Sequence, residues 1–145
     1  MGLLRDGLLD ILEGIEPPTP LRPIRYDFAM AHSQGGIEAA IEFYRGAAAE
    51  QSEDYFFSAR QLNSFGYFLL QAGEIDGAIE VFAFNVELYP EEGNPYDSLG
   101  EAYLAGGNVE QARINYSRAL ELDPDNDYAR SVLADMADAA SSNDG

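Results

Sequence analysis

The sequence predicts an all-α fold, a solenoid of antiparallel helix hairpins closed by a C-terminal capping helix. Three observations carry that expectation. Shifted by 34 residues, segment 59–92 lies on segment 93–126 without a gap, and eight positions are identical, Ser64/Ser98, Gly66/Gly100, Leu70/Leu104, Gly73/Gly107, Ala78/Ala112, Glu87/Glu121, Leu88/Leu122 and Pro90/Pro124. Within each copy the apolar residues recur at helical spacing. Glycine and proline punctuate both copies at the same places.

Each element can be justified in chain order. Leu3, Leu4, Leu8, Ile11, Leu12 and Ile15 make an amphipathic helix over 1–15. Residues 16–24, with Pro17-Pro18-Thr19-Pro20-Leu21-Arg22-Pro23, read as a semi-rigid linker. Residues 25–58 read as a degenerate hairpin, a stunted helix near 27–34 and a second near 37–50. There Gly35-Gly36 through Ala40 and Tyr44 mimics Gly106-Gly107 through Ala112 and Tyr116, one residue short.

The hairpin at 59–92 pairs the stripe Leu62, Phe65, Gly66, Leu69 with the stripe Ile75, Ala78, Ile79, Phe82, Val86. The hairpin at 93–126 copies it as Tyr96, Leu99, Gly100, Tyr103 and Val109, Ala112, Tyr116, Ala119, Leu120. Gly73 and Gly107 end the first helices because glycine enters the left-handed region without steric cost. Pro90 and Pro124 stop the second helices. Ser58 with Gln61 reads as a capping box, and Asn94 before Pro95 as an N-cap followed by proline at the first helical position. Glycine inside a helix costs about 1 kcal/mol against alanine, so Gly66 and Gly100 imply close backbone approach. Residues 127–140 continue the register with Arg130, Leu133, Ala134 and Ala137 as a lone capping helix, and 141–145 read as a disordered tail.

Composition narrows the chemistry. The 145 residues carry 26 acids against eight basic residues, all Arg, for a formal charge of −18. Without Lys there is no Schiff base and no Walker A lysine; without Cys there is no disulfide and no thiolate nucleophile. A single His excludes any two-His metal site. So acidic a surface repels phosphate backbones and anionic lipid, so neither nucleic acid nor membrane is an expected partner. With no apolar stretch of bilayer length and no signal peptide, the chain as given reads as soluble and cytoplasmic. Acid-rich, Lys-free composition suits a high-salt milieu or GC-rich coding.

Leu62-x-x-Phe65-Gly66-x-x-Leu69, then Gly73, Ala78, Phe82 and Pro90, resembles the tetratricopeptide repeat (TPR) family. Tyr96-x-x-Leu99-Gly100-x-x-Tyr103, then Gly107, Ala112, Tyr116, Ala119 and Pro124, matches it more closely. Asn85 departs from the small residue usual there, which puts a looser junction to the next repeat in prospect. The resemblance implies a TPR-type solenoid and a non-catalytic protein–protein interaction module, accessory or scaffolding. A second resemblance covers about 100 residues: Leu62 to Tyr67, Asn85 to Pro90 and Tyr96 to Tyr103 are similar to the C-terminal TPR tails of bacterial serine hydrolases, both β-lactamase-like peptidases and α/β-hydrolase esterases. It implies, as the alternative, a regulatory or stabilising fragment of such a hydrolase, with no catalytic residue carried over.

Local candidates for chemistry are weak. His32, with Ser33 and Asp27 nearby, invites a triad, yet no Gly-x-Ser-x-Gly elbow exists and His32 aligns with Gly66 of the clean repeat. Asp123 to Asp127 resembles the opening of a calcium loop, but Tyr128 and Ala134 stand where Gly and Glu are needed. It reads as a turn, with Asn126 capping the next helix. No catalytic residue, metal or cofactor is therefore expected. In TPR stacks the first helix of each hairpin lines a concave face, and its exposed positions here are Arg60, Asn63, Tyr67, Asn94, Asp97, Glu101, Ser131 and Asp135. Some TPR proteins clamp a peptide carboxylate there with Lys, Arg and Asn. Three acids and no Lys disfavour that clamp, so the expected ligand is a basic or amide-rich protein segment rather than an acidic one.

Overall fold

The computed structural model describes residues 21–143 apart from 51 and 53. The helix read for 1–15, residues 16–20 of the linker and the last two residues of the tail lie outside the described residues. Among the described residues six helices follow one another: α1 (Ile24–Ala49), α2 (Ala59–Gln71), α3 (Ile75–Leu88), α4 (Gly93–Ala105), α5 (Val109–Leu122) and α6 (Asp127–Asn143). Two short strands, β1 (Arg22–Pro23) and β2 (Tyr55–Phe56), pair in parallel, with Arg22 opposite Tyr55 and Pro23 opposite Phe56. Helices α2 and α3 pack as one hairpin, α4 and α5 as the next, and α3 stacks on α4. The architecture is an all-α, TPR-type solenoid.

The hairpins form because the glycines turn the chain where the pattern demands it. Gly73 and Gly107 both sit at φ 83°. At the end of α2 the Glu74 N–H reaches the Leu69 carbonyl at 2.9 Å and Gly73 N–H the Leu70 carbonyl at 3.1 Å, and Asn108 and Gly107 repeat the arrangement after α4. These paired bonds satisfy the last carbonyls of each helix. Gly36, at φ 80° and ψ −172°, breaks α1 into arms 24–35 and 37–49. It therefore corresponds to Gly73 and Gly107, which makes α1 a folded hairpin. This correspondence realigns the first hairpin: Phe28 matches Phe65 and His32 matches Leu69, not Gly66.

The core is continuous through the first two hairpins and into α4, with Ile24, Phe28, Tyr44, Leu62, Leu69, Phe82 and Leu99 all buried. Tyr44 is ringed edge-on by Phe28, Phe57 and Phe84 at 5.3–6.2 Å. A second cluster joins α5 to α6 through Ala112, Tyr116, Ala129 and Met136, and Tyr103 touches both clusters. What meets Gly66 and Gly100 is an aromatic ring, not a backbone. A Cβ at Gly66 would overlap the Phe82 ring, and one at Gly100 would lie 3.0 Å from Tyr116. Ala78 and Ala112 are buried on the facing helices beside those rings.

Several boundaries differ from the sequence reading, each for a physical reason. Ser58 makes no side-chain cap: the Gln61 N–H donates to the Ser58 carbonyl at 3.1 Å, and the Gln61 side chain is engaged elsewhere. Asn94 is not an N-cap: α4 already begins at Gly93, with Glu92 in the capping position. The linker gives way at Arg22, where strand pairing begins, and Ile24 is a buried helical residue. Helix α6 runs through Asn143, so residues 141–143 are helical rather than a disordered tail. Its register is also rotated. Ala129 and Met136 are buried and Val132 and Leu133 half-buried, whereas Arg130, Ala134 and Ala137 are exposed. The equivalent stripe of α4 faces its own hairpin partner, and no described helix follows α6 to cover it. Asn85, wholly buried, closes its own hairpin by donating to the Ala59 carbonyl at 3.0 Å.

Candidate peptide groove

The eight residues assigned to the concave face separate into two groups. Arg60, Asn94, Ser131 and Asp135 are exposed, while Asn63, Tyr67, Asp97 and Glu101 are half-buried. The inner group is drawn together between α2 and α4. Tyr67 sits one 34-residue repeat before Glu101, so the helix stacking sets the two side by side. The Tyr67 hydroxyl donates to Glu101 Oε2 at 2.7 Å, and its ring stands edge-on to Phe82 at 5.1 Å. One turn before Glu101 on the same helix, Asp97 accepts from Asn126 Nδ2 at 3.3 Å. Asn126 also caps α6 by accepting from the Ala129 N–H at 2.9 Å. The turn read as a failed calcium loop is thus fastened to α4.

Electrostatics single out Asp97. Burial raises its carboxyl above the ordinary Asp range, Glu101 raises it further, and the Asn126 amide opposes them. Burial and the Glu101 carboxylate also hold the Tyr67 hydroxyl protonated well above its usual range, with Ser98 opposing. Buried Oδ1 of Asn63 has no protein partner. The carboxylates of Asp97 and Glu101 thus lie one turn apart on α4, each half-buried and each accepting one hydrogen bond from within the protein. Asp135 does not join it; it lines a cleft of about 540 Å³ between α6 and the α4–α5 turn, with Leu104, Val109 and Met136.

The triad candidates point apart. Ser33 Oγ donates to the Met30 carbonyl at 2.8 Å, and Asp27 is held by Arg22 at 3.1 Å and by the Tyr55 hydroxyl at 2.7 Å. His32, with 22% of its side chain exposed, lies 3.8 Å from Glu74 and edge-on to Phe65. Among the described residues no three His, Asp or Glu converge as a metal-ligand set, and no helix is long and apolar enough to cross a membrane.

Sequence reasoning missed the clasp at the first hairpin. Gln61 is buried; its Oε1 accepts from the Arg25 N–H at 3.2 Å and its amide donates to the Phe56 carbonyl. The signal in the sequence is a glutamine set on an apolar face, with Phe57 and Phe65 four residues to either side.

The TPR repeat family model matches residues 100–135. The chain is 29% identical over 93 residues, 64% of its length and 8% of the relative's, to the protein CTR9 homolog of Arabidopsis thaliana. It is 28% identical over 104 residues, 72% of its length and 28% of the relative's, to the small glutamine-rich tetratricopeptide repeat-containing protein 2 of Mycosarcoma maydis. The chain thus spans under a third of the length of these curated relatives. Among solved structures, the first TPR of Spaghetti (RPAP3), bound to the HSP90 peptide SRMEEVD, superposes with a TM-score of 0.56 at 21% identity. That match covers 81% of this chain and 90% of the other. At that identity the likeness is one of fold.

Proposed function

We propose that this protein is a non-catalytic interaction module whose concave face, floored by Asn63, Tyr67, Asp97 and Glu101, takes an extended protein segment bearing basic or amide side chains. The observation that carries the reading is the half-buried Asp97–Glu101 pair beside Tyr67. A carboxylate pair partly held from water is relieved by a donor cation, which offsets the charge that burial penalises at Asp97. Arg60, Asn94 and Ser131 supply the exposed rim. The peptide on the Spaghetti domain carries two adjacent glutamates, and such a ligand would meet like charge here.

Fluorescence titration of an Arg- and Gln-containing peptide against an acidic peptide of equal length tests this. The first should bind more tightly, and Asp97→Asn with Glu101→Gln should weaken it by roughly tenfold, about 1.4 kcal/mol. Equal affinities, or an unaffected double variant, would refute the assignment. A fragment of a serine hydrolase is the second reading. It rests on the resemblance read from Leu62–Tyr67, Asn85–Pro90 and Tyr96–Tyr103, and failure to co-purify with a hydrolase from the source cell would refute it.

A further inference from the structure

The concave face extends beyond α2 onto the first hairpin. Asn63 and Tyr67 stand ten and six residues ahead of Gly73, Asp97 and Glu101 the same distances ahead of Gly107, and Tyr26 and Met30 the same distances ahead of Gly36. The chemistry changes along that row. Asp97 and Glu101 are acids and Asn63 and Tyr67 half-buried polar groups, whereas Tyr26 and Met30 are 61% and 58% exposed. Beside them an apolar cleft of about 300 Å³ opens between the first arm of α1 and α2, lined by Arg25, Tyr26, Ala29, Ser64, Phe65 and Phe68. Phe68 is 63% exposed, although its counterpart one repeat on, Ala102, is fully buried. Repeat packing is closed between α2 and α4 and open between α1 and α2. Charge divides the row as well. Arg25 lies over the Tyr26 ring at 5.0 Å, and Arg60 is one turn before Ser64. Among the described residues neither has a carboxylate at ion-pair distance, whereas Arg22, Arg45, Arg113, Arg118 and Arg130 each hold one within 3.1 Å.

We infer, resting on the groove reading above, that the cleft receives an apolar anchor of the same bound segment, so the partner is an extended segment with an aromatic or long aliphatic residue about four positions from its Arg or Lys. Helices pack about 8–10 Å apart, so the cleft, midway between the first arm of α1 and α2, stands roughly 12–15 Å from the carboxylates of α4. An extended chain covers that distance in about four residues at about 3.3 Å each. Ligand pockets span about 300–1,000 Å³, and a cleft at the small end of that range suits one inserted side chain. Its insertion takes the exposed faces of Tyr26, Met30 and Phe68 out of water together with the anchor. The opposite charges at the two ends set the order. Arg25 and Arg60 repel a cation at the cleft, and Asp97 and Glu101 repel an anion at α4, so the anchor has neutral or acidic neighbours and the cation falls at α4. A second copy of the chain is a poorer occupant, because it brings a charge of −18 against this one.

Fluorescence anisotropy of labelled peptides with the full chain tests this. The probe peptide is neutral apart from one arginine, carries one phenylalanine four positions from it, and is made in both chain directions. In its tighter direction it should bind roughly tenfold better than a version with alanine in place of the phenylalanine, or one with the phenylalanine moved beside the arginine. Met30→Asp with Phe68→Asp, both at exposed positions, should weaken the probe about tenfold and leave the alanine version unchanged, which localises the anchor to the cleft. Binding that is lost with Asp97→Asn and Glu101→Gln but survives Met30→Asp and Phe68→Asp would overturn the inference while the groove reading stands. Indifference to both pairs of substitutions would overturn both. An equal change for the phenylalanine and alanine peptides would also overturn the inference, since the cleft would then not hold the anchor. Light scattering of the free chain covers the remaining occupant: a dimer that Met30→Asp and Phe68→Asp split would mean that a second copy fills the cleft, and the inference would fail.

Discussion

At the scale of single residues, the two mid-helix glycines differ in a way that can be measured. Phe82, fully buried, fills the space a Gly66 side chain would need, whereas Tyr116 stands 3.0 Å from the corresponding point at Gly100. Gly66→Ala should therefore destabilise by about 1–3 kcal/mol, the usual cost of overpacking. Gly100→Ala should cost less, because a gain of about 1 kcal/mol in helix propensity offsets a displacement of a few tenths of an ångström. Urea unfolding of both variants checks the order, and a neutral Gly66→Ala would contradict it. Asp97 supplies a second test. Its folded carboxyl titrates above its unfolded value, so the folded state takes up the proton first. Its contribution to stability is unfavourable at neutral pH, improves as pH falls through the raised value, and levels off below the ordinary Asp value near about 3.9. Asp97→Asn should thus be more stable than the parent at pH 7, by a margin that shrinks toward pH 4, while binding its ligand less well. A margin independent of pH would remove the electrostatic account.

At the scale of elements, the first hairpin joins the stack through its share of the core, the Arg45–Glu87 ion pair and one buried glutamine. Gln61 receives an otherwise unpaired N–H from the first turn of α1 and gives its amide to the Phe56 carbonyl. Gln61→Met keeps the volume and removes both bonds, leaving two backbone groups unpaired at a cost of about 1–3 kcal/mol each. Hydrogen exchange at the Arg25 amide should accelerate while amides in α5 stay protected; equal acceleration everywhere would mean the hairpin is not a separable unit. The same region shows where the sequence was legible and where it was not. The stripes at Leu62, Phe65, Leu69 and Phe82 and the turns at Gly73 and Gly107 were readable because period and punctuation are local. The β1–β2 pairing joins two-residue runs some thirty positions apart, too short to show any alternation. The rotation of α6 depends on the helix that would follow in a full hairpin, a fact about neighbours rather than about residues 127–143. In the groove, positions on helix faces were readable, but the bond of Tyr67 to Glu101 and the reach of Asn126 to Asp97 are products of stacking.

For the whole molecule, net charge sets the response to solvent. Twenty-six acids against eight arginines leave a surface that repels itself, and five of the seven described arginines are already spent on local pairs. Salt screens repulsion over a Debye length of about 10 Å at 0.1 M and about 3 Å at 1 M. The melting temperature should rise from low to molar NaCl, since the exposed pairs that salt weakens contribute little. A melting temperature that is flat or falls with salt would show that repulsion is not a significant term.

The clasp at the start of the solenoid also decides how the molecule bears load. Residues 24–54 enter and leave through the parallel pair at Arg22–Pro23 and Tyr55–Phe56. Tension entering at β1 can cross that pair into α2, and it bypasses the first hairpin for as long as the pair holds. Proline at position 23 has no N–H to give, so the seam rests on few bonds, the Arg22 N–H to the Asp54 carbonyl at 2.9 Å among them. Parting that seam loads the contacts of the first hairpin with α2 and α3, and only their rupture yields residues 24–54 as added length.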